Sequence, residues 1–378
     1  MMQIQKRNWV KKILLLGSVA SLCFLVGHVQ PLWSQTSKVI SLPVKKKAPA
    51  PKVTTLASAA PAPAPAKAAT TATGYQSLLL WGKKYGLKAY WIKKDKVLRL
   101  ADGTHTLEFE VNRSCIEVNR VRIWIGKPVK IVSGRISMDA QDIDTALEPV
   151  LAPKKRKAVQ VVLLDPGHGG ADPGAVFQGK REKDYVLLLA KEVQRILQQR
   201  GVKVVLTRNG DQALGLSARS NMSARTKADL FVSIHLNAAA NSAAKGAEVF
   251  TTTPAGAQST NPDRSGSRSR TTGNANDTHN LLLAYQIQQE LTRQIGFADR
   301  GVRRDRLGVL VSNPVPAVLV EAGFITNSDD QKKIFNKSQR DQVARAIADG
   351  ILNYKKAVET GRPSFGSPTS KTVNVQKL

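Results

Sequence analysis

Two histidines and two glutamates in the second half of the chain have the residue types and sequence contexts of a catalytic metal site. They are His168, Glu182, His235 and Glu321. All but Glu182 end or closely follow an apolar run of strand length. Because ligands collect at the carboxyl ends of strands in an open α/β sheet, these residues are predicted to meet at one sheet edge. A catalytic zinc takes three ligands from His and carboxylate and leaves one position for water, so the pattern predicts a zinc hydrolase.

The local sequence around each residue indicates how it would be used. His168 lies in a Pro-Gly-His-Gly-Gly turn, where glycine lets the backbone bend sharply beside a metal. Glu182 precedes the first long predicted helix. Glu321 has apolar neighbours that predict partial burial, which is unfavourable for a carboxylate unless it is paired or functional. A lone histidine or a lone acid at a helix start is ordinarily structural, but the four together indicate a site. Asp165 and Asn237 are predicted to hydrogen-bond the imidazoles.

The net charge of +29 is concentrated in the first part of the chain. Residues 1–157 contain 27 of the 57 basic side chains but only 9 of the 28 acidic ones. A charge of this size favours an anionic partner such as nucleic acid, anionic lipid or a carboxylate-bearing cell wall.

The N-terminal sequence predicts export. Basic residues between Lys6 and Lys12 precede an apolar stretch from Ile13 to Gly27, which is typical of a secretory signal. Residues 1–34 are therefore predicted to be a signal peptide or an uncleaved anchor, and the protein is predicted to lie in the periplasm or cell envelope. Export argues against nucleic acid as a partner and leaves membrane contact only through an uncleaved N-terminal segment. Residues 35–74, rich in Ala, Pro and Lys, are predicted to be an extended linker.

Residues 75–150 are predicted to form a small α+β module. A short helix ending near Gly86 is followed by short alternating segments, with the period of two clearest at 121–125. The module resembles the N-terminal domain of some copper amine oxidases, which is also an accessory module in bacterial wall proteins. The residues that carry this resemblance are 107–109, Asn119, 124–125, 128–129 and 134–135. The aromatic side chains are predicted mainly to pack in the core, with stacking on sugars as the alternative: Trp81, Tyr90, Trp91 and Trp124.

Residues 158–357 alternate between strand and helix patterns, which predicts an α/β fold with helices on both faces of a sheet. Strands are predicted at 160–165, 202–206, 230–235, 246–251, 307–311 and 316–321, and helices at 183–199, 217–227, 280–295 and 338–354. Residues 252–279 lack an apolar period and are predicted to be a long mobile loop. Residues 358–378 are predicted to be a disordered tail.

Several segments of this region resemble the zinc-dependent N-acetylmuramoyl-L-alanine amidases of the bacterial daughter-cell-separation and spore-cortex type. They are 164–175, 182–183, 205–211, 228–237 and 316–327. The stretch 299–303 also resembles one that lies near the site in that family. The resemblance implies a mixed sheet of the phosphorylase/hydrolase-like kind and one zinc per chain. It places His168, Glu182 and His235 at the zinc-ligand positions and Glu321 at the catalytic carboxylate position. The loop 252–279 lacks the amphipathic helix that blocks the site in some members, so regulation and any activating protein remain open.

The predicted function is hydrolysis of the amide between N-acetylmuramic acid and the L-alanine of the peptidoglycan stem peptide. One alternative is a non-catalytic wall-binding protein, which predicts loss of a ligand or of the glutamate, and none is lost. The other is a zinc carboxypeptidase on wall peptides. It requires an arginine to hold a terminal carboxylate, for which Arg303 and Arg304 are candidates.

Overall fold

The computed structural model describes residues 74–261 and 268–364. The predicted signal or anchor and nearly all of the predicted linker lie outside the described residues, as does most of the predicted tail. Within the described ranges, every helix is too short or too polar to cross a membrane.

The N-terminal part, up to residue 151, consists mostly of short antiparallel strands. Its elements are β1 (Tyr75–Ser77), α1 (Leu78–Lys84), β2 (Lys88–Lys93), β3 (Val97–Ala101), β4 (Thr106–Glu110), β5 (Cys115–Val118), β6 (Val121–Trp124), β7 (Lys130–Val132), β8 (Arg135–Asp139), α2 (Ala140–Asp142), a π-helical turn (Ile143–Leu147) and α3 (Glu148–Leu151). Burial alternates along β3 to β6, as expected for strands with one face on the core.

The C-terminal part alternates strands and longer helices. Its elements are β9 (Val161–Pro166), β10 (Val176–Phe177), β11 (Lys180–Arg181), α4 (Glu182–Gln199), β12 (Lys203–Leu206), α5 (Leu216–Arg225), β13 (Leu230–Asn237), β14 (Ala247–Thr252), a 3₁₀ turn (Thr272–Asn276), α6 (Asp277–Ile295), β15 (Asp299–Asp305), α7 (Gly308–Val311), β16 (Ala317–Phe324), α8 (Ser328–Phe335) and α9 (Lys337–Thr360).

One sheet of eleven strands runs through both parts, in the order β12, β9, β13, β16, β14, β15, β6, β5, β4, β3, β2. The first four strands in this order, β12, β9, β13 and β16, are parallel to one another. Strand β14 is antiparallel to β16, and β15 is parallel to β14. The starts of β14 and β15 therefore lie at the same sheet edge as the carboxyl ends of β9, β13 and β16. Consequently, residues at the carboxyl ends of some strands and at the starts of others can reach one site.

Helices cover both faces of this sheet, which confirms the predicted mixed α/β fold. On one face, α4, α6 and α9 pack over a large apolar cluster that includes Val162, Val232 and Val320. On the other face, α5 and α7 cover a smaller cluster that contains Leu163 and Phe231. Successive residues of β9 thus enter opposite clusters, as the alternation of side chains along a strand requires.

The N-terminal part shares its core with the C-terminal part. The large cluster extends from Trp81 to Tyr285 and Tyr354. Arg304 Nη1 donates to Asp142 Oδ1 over 2.6 Å, and both side chains are almost completely buried. The large core is therefore continuous from Leu78 in α1 to Val358 in α9. The eleven-stranded sheet is likewise continuous from β2 to β12, whereas β1, β7 and β8 form a separate three-stranded sheet.

Three predictions of secondary structure are wrong. The apolar run 307–311 contains the short helix α7 and no strand, because periodicity cannot separate short helices from strands in such runs. The region 252–279 is not one irregular loop, since it contains the 3₁₀ turn and α6 begins at Asp277; residues 262–267 lie outside the described part. The tail cannot begin at 358, because α9 extends to Thr360 and Ser364 is buried.

Candidate metal centre

Three donor atoms from three separate elements converge at the sheet edge. His168 Nε2 lies 3.1 Å from His235 Nδ1 and 3.1 Å from Glu182 Oε1, and His235 Nδ1 lies 3.0 Å from the same Glu182 oxygen. Tetrahedral ligands at about 2.0–2.1 Å from zinc are about 3.3–3.4 Å apart. The triangle of donors thus has almost the dimensions of one face of a zinc tetrahedron. His168, Glu182 and His235 form a possible metal site.

The turn after β9 brings His168 to this point. His168 has φ 59°, in the left-handed region that non-glycine residues seldom adopt. Gly167 packs directly against His235, because a Cβ at residue 167 would lie 2.2 Å from His235 Cε1. Arg219 Nη2 fixes the turn by donating to the His168 carbonyl over 2.6 Å. The glycine and the arginine together explain how two imidazoles from different strands reach one position.

Glu182 is the first residue of α4 and is buried. Its Oε2 accepts a hydrogen bond from Ala175 N at 2.9 Å, and its Oε1 accepts one from Leu236 N at 2.9 Å. These bonds hold the carboxylate between the His168 turn and the end of β13. The position at a helix N-terminus also favours the ionised form.

The electrostatics of the triangle favour positive charge inside it. Burial alone would lower the pKa of His168, but hydrogen bonds to Asp172 and Glu182 and the charges of these carboxylates raise it to about 10. Burial would likewise raise the pKa of Glu182, but the two histidines outweigh it and lower that pKa. A buried carboxylate that stabilises positive charge on the His168 imidazole offers the same stabilisation to a metal cation.

Glu321 lies beside the triangle on the neighbouring strand. It is the register partner of His235 across β16 and β13. The residue is partly buried, and its Oε2 is shielded from solvent without a hydrogen-bond partner among the described residues. Burial first, and then the charges of Glu182 and Glu248, raise the pKa of this carboxyl well above its ordinary value. The structure therefore brings all four predicted site residues together.

The predicted partners of the imidazoles are wrong. Asp165 accepts from Thr207, Arg219 and Ser233 and not from a histidine. It thereby orients Arg219, which donates to the carbonyls of Pro166 and His168 in the turn. Asn237 donates from Nδ2 to Glu248 Oε1 over 2.6 Å.

The partner of the His168 nitrogen that faces away from the triangle is Asp172, whose Oδ2 lies 2.8 Å from His168 Nδ1. It is four residues beyond His168, and the position of an acid just after the His-Gly-Gly turn is the sequence signal that was missed.

Two further residues that sequence reasoning missed support the turn. Arg208 is buried and donates to the carbonyls of Pro166 and Gly167. Lys183, also buried, donates to the Gly170 carbonyl and to Asp211 Oδ2, each over 2.7 Å. Arg208 lies two residues after the end of β12, so the rule that polar residues after strands belong to a site would have found it.

The two arginines proposed for a carboxypeptidase are both held in internal ion pairs. Arg303 Nε donates to Glu248 Oε2 over 2.6 Å, and Arg304 pairs with Asp142. The Arg304 guanidinium is almost completely buried against Asp142, and the Nε of Arg303 is engaged by Glu248. The internal ion pairs thus favour a structural role for both arginines over recognition of a peptide carboxylate.

Comparisons with known proteins agree with this geometry. A family model described as N-acetylmuramoyl-L-alanine amidase matches residues 162–353. The chain is 36% identical over 195 residues to N-acetylmuramoyl-L-alanine amidase LytC of Bacillus subtilis, a match that covers 52% of this chain and 35% of that protein. It is 34% identical over 225 residues to N-acetylmuramoyl-L-alanine amidase AmiA of Escherichia coli, covering 53% of this chain and 78% of that protein.

Among solved structures, N-acetylmuramoyl-L-alanine amidase AmiC2 of Nostoc punctiforme is 34% identical, with a TM-score of 0.44 and coverage of 52% of this chain and 97% of that one. The family match spans just over half of the 378 residues and contains all four site residues. This chain belongs to the N-acetylmuramoyl-L-alanine amidase family.

Proposed function

We propose that the protein is an exported peptidoglycan amidase that hydrolyses the amide between the lactyl group of N-acetylmuramic acid and the L-alanine of the stem peptide. The observation that carries this proposal is the triangle of His168, Glu182 and His235 with the buried Oε2 of Glu321 beside it. Relatives that are named N-acetylmuramoyl-L-alanine amidases support the choice of bond.

The donor set fits one zinc ion per chain. Two imidazoles and one carboxylate are ligands of catalytic zinc, and three protein ligands leave a coordination position open. When bound there, zinc supplies Lewis acidity toward the scissile carbonyl and toward a water molecule. Asp172 orients the His168 ring, and Ala175 N and Leu236 N orient Glu182.

Glu321 moves the proton in this reaction. As the attacking water adds its oxygen to the amide carbon, its proton passes to the Glu321 carboxylate. As the carbon–nitrogen bond breaks, the proton passes from Glu321 to the leaving nitrogen of L-alanine. The products are a free lactyl carboxyl group and a stem peptide with a free amino terminus. A partly buried carboxyl with a raised pKa suits both steps.

The proposal also includes the cellular location of the protein and the roles of its two parts. The basic and apolar N-terminal sequence supports export to the periplasm or cell envelope, with peptidoglycan as the partner. Residues 158–357 are proposed as the catalytic domain and residues 75–150 as an accessory module, although one sheet runs through both.

Digestion of purified sacculi by the full-length protein tests the proposal. We expect mass analysis to show stem peptides with free N-terminal L-alanine and intact glycan strands. Chelation should abolish this release, and added zinc should restore it. Release of single C-terminal amino acids would instead indicate a carboxypeptidase, and binding without any product would indicate a wall-binding protein. Glu321→Gln serves as the inactive control.

A further inference from the structure

A row of side chains crosses five neighbouring strands and connects the metal centre to the N-terminal part. Register pairs place His235 opposite Glu321, and Glu321 opposite Glu248. Glu248 pairs in turn with Gly301 of β15, and Arg303 lies two residues further along that strand on the same face, so this step of the row is diagonal. Val302 pairs with Ile123, the residue before Trp124. The row contains His235 of β13, Glu321 of β16, Glu248 of β14, Arg303 of β15 and Trp124 of β6.

Glu248 is the member of this row that the proposed chemistry leaves unused. It is 4% exposed, and such a carboxylate is unfavourable unless it is paired. Oε1 accepts from Asn237 Nδ2 at 2.6 Å, and Oε2 accepts from Arg303 Nε at 2.6 Å. Arg300 Nε lies 3.3 Å from the same Oε2. Both oxygens of Glu248 are therefore engaged, while Glu321 directly across the strand pair keeps its Oε2 unengaged among the described residues.

This division matters because the two carboxylates are close competitors for the same donors. Opposed residues of an antiparallel pair have Cβ atoms about 4.5–5.5 Å apart, so donors that reach Glu248 lie near Glu321. A guanidinium that turned to Glu321 would occupy the oxygen that must face the attacking water. Glu248 prevents this by its hydrogen bond with Arg303 and its ion pair with Arg300.

Trp124 fixes the arginine from the other side. The Arg303 guanidinium carbon lies 4.5 Å from the centroid of the Trp124 ring, within the range of a cation–π interaction. The indole Nε1 donates to the Arg300 carbonyl over 2.8 Å. Trp124 lies outside residues 162–353, which match the family model, so this contact comes from the chain's own N-terminal part.

We propose that Glu248 is a positioning residue that keeps Arg303 and Arg300 away from Glu321, and that Trp124 of the N-terminal part holds Arg303 in this place. The inference rests on the proposed function. It makes the N-terminal part a contributor to the catalytic site, in addition to any role in attachment.

The test measures kcat, KM and zinc content of full-length variants on a soluble muropeptide. Glu248→Ala frees both arginines, so kcat should fall about tenfold or more while KM stays within about twofold and zinc remains bound. Replacing Arg300 and Arg303 by Met in the same chain should restore most of kcat, because no guanidinium is left to occupy Glu321. A merely structural role for Glu248 predicts no such recovery.

Trp124→Leu provides a second test that leaves both charges in place. It should lower kcat by about threefold or more, with little change in KM, because Arg303 loses the cation–π interaction that holds its guanidinium in place. The matched control is Trp91→Leu, since Trp91 lies in the same part but is 38% exposed. It should leave kcat unchanged.

Unchanged kcat in Glu248→Ala, or loss without recovery in the triple variant, overturns the inference. If the wild-type protein releases stem peptides, the proposed function stands regardless of these variants. An inactive wild-type protein would overturn both.

Discussion

Asp172 Oδ2 lies 2.8 Å from Nδ1 of His168 and determines which nitrogen of that ring faces the metal centre. A carboxylate only accepts hydrogen bonds, so Nδ1 must donate and the lone pair of neutral His168 is on Nε2. That nitrogen is the one directed at Glu182 and His235. An acid on an exposed turn thus selects the tautomer that binds a cation.

Asp172→Ala should therefore weaken zinc binding by about tenfold to a hundredfold, as removal of such outer partners commonly does. Competition with a chromogenic chelator measures the affinity. Asp184→Ala is the control, because Asp184 is a nearby acid that pairs with Arg181 and does not contact the triangle. Equal zinc affinity of the Asp172 variant and the wild type would show that the tautomer is set by other means.

Glu321 and Glu182 should respond differently to substitution. Glu321→Gln preserves shape but cannot carry a proton, so turnover should fall roughly a hundredfold or more with zinc retained. Glu182→Ala removes a charged donor from the triangle and should lower zinc affinity together with activity. Zinc content and turnover are measured on both variants. Loss of zinc from Glu321→Gln, or full occupancy of Glu182→Ala at limiting zinc, would mean that the roles are reversed.

The site residues at strand ends could be predicted because the pattern that marks them lies next to them in the sequence. His235 and Glu321 each end an apolar run, and parallel strands bring their carboxyl ends to one edge. Glu248 could not be found in this way, because it lies near the start of a strand. It reaches the edge only because β14 runs antiparallel to β16, and strand direction is decided by packing of the whole sheet.

Strand β15 escaped prediction for a related reason. Its sequence, Asp299–Asp305, contains five charged residues and one large apolar residue, Val302, so it has no apolar period. The strand is stable because its charges are paired across the fold, as Arg304 is with Asp142 and Arg303 with Glu248. Such pairs join residues far apart in sequence, which no local pattern reveals.

Gly167→Ala should abolish the metal site without unfolding the chain. The new Cβ would lie 2.2 Å from His235 Cε1, so the ring must move out of the triangle. We expect zinc binding to fall below detection while the circular dichroism of the folded protein is retained. Gly210→Ala is the control, since a Cβ there meets no heavy atom within 4 Å. Normal zinc binding by Gly167→Ala would show that the turn can shift to accommodate a methyl group.

Arg304→Met should destabilise the protein by about 3–5 kcal/mol, because it leaves the Asp142 carboxylate buried without its cation. Denaturant unfolding followed by tryptophan fluorescence measures the free energy. Lys337→Met is the control, since Lys337 pairs with Asp341 at an exposed site where a bridge contributes little. As Arg304 and Asp142 lie in different parts of one continuous core, unfolding should occur in a single transition. Two separate transitions would contradict a shared core.

His279 should make the stability of the protein depend on pH. It lies in α6, with its ring edge-on to Tyr354 of α9 at a centroid distance of 6.2 Å. Burial first, and then the charges of Arg156 and Lys154, lower its pKa from the ordinary 6.5 to about 4. The unfolded chain therefore binds a proton between these values that the folded protein excludes. The contribution of His279 to the free energy of unfolding is therefore at its full value above pH 6.5 and decreases as the pH falls toward 4.

His279→Phe keeps a ring of similar size against Tyr354 but cannot be protonated. Its stability relative to the wild type should therefore rise as the pH is lowered from 6.5 to 4, and the difference should be constant above pH 7. Denaturant unfolding of both proteins across this range measures the difference, in which the titration of the metal ligands and all other shared groups cancels. Parallel stability curves would show that the imidazole is accessible to protons in the folded state.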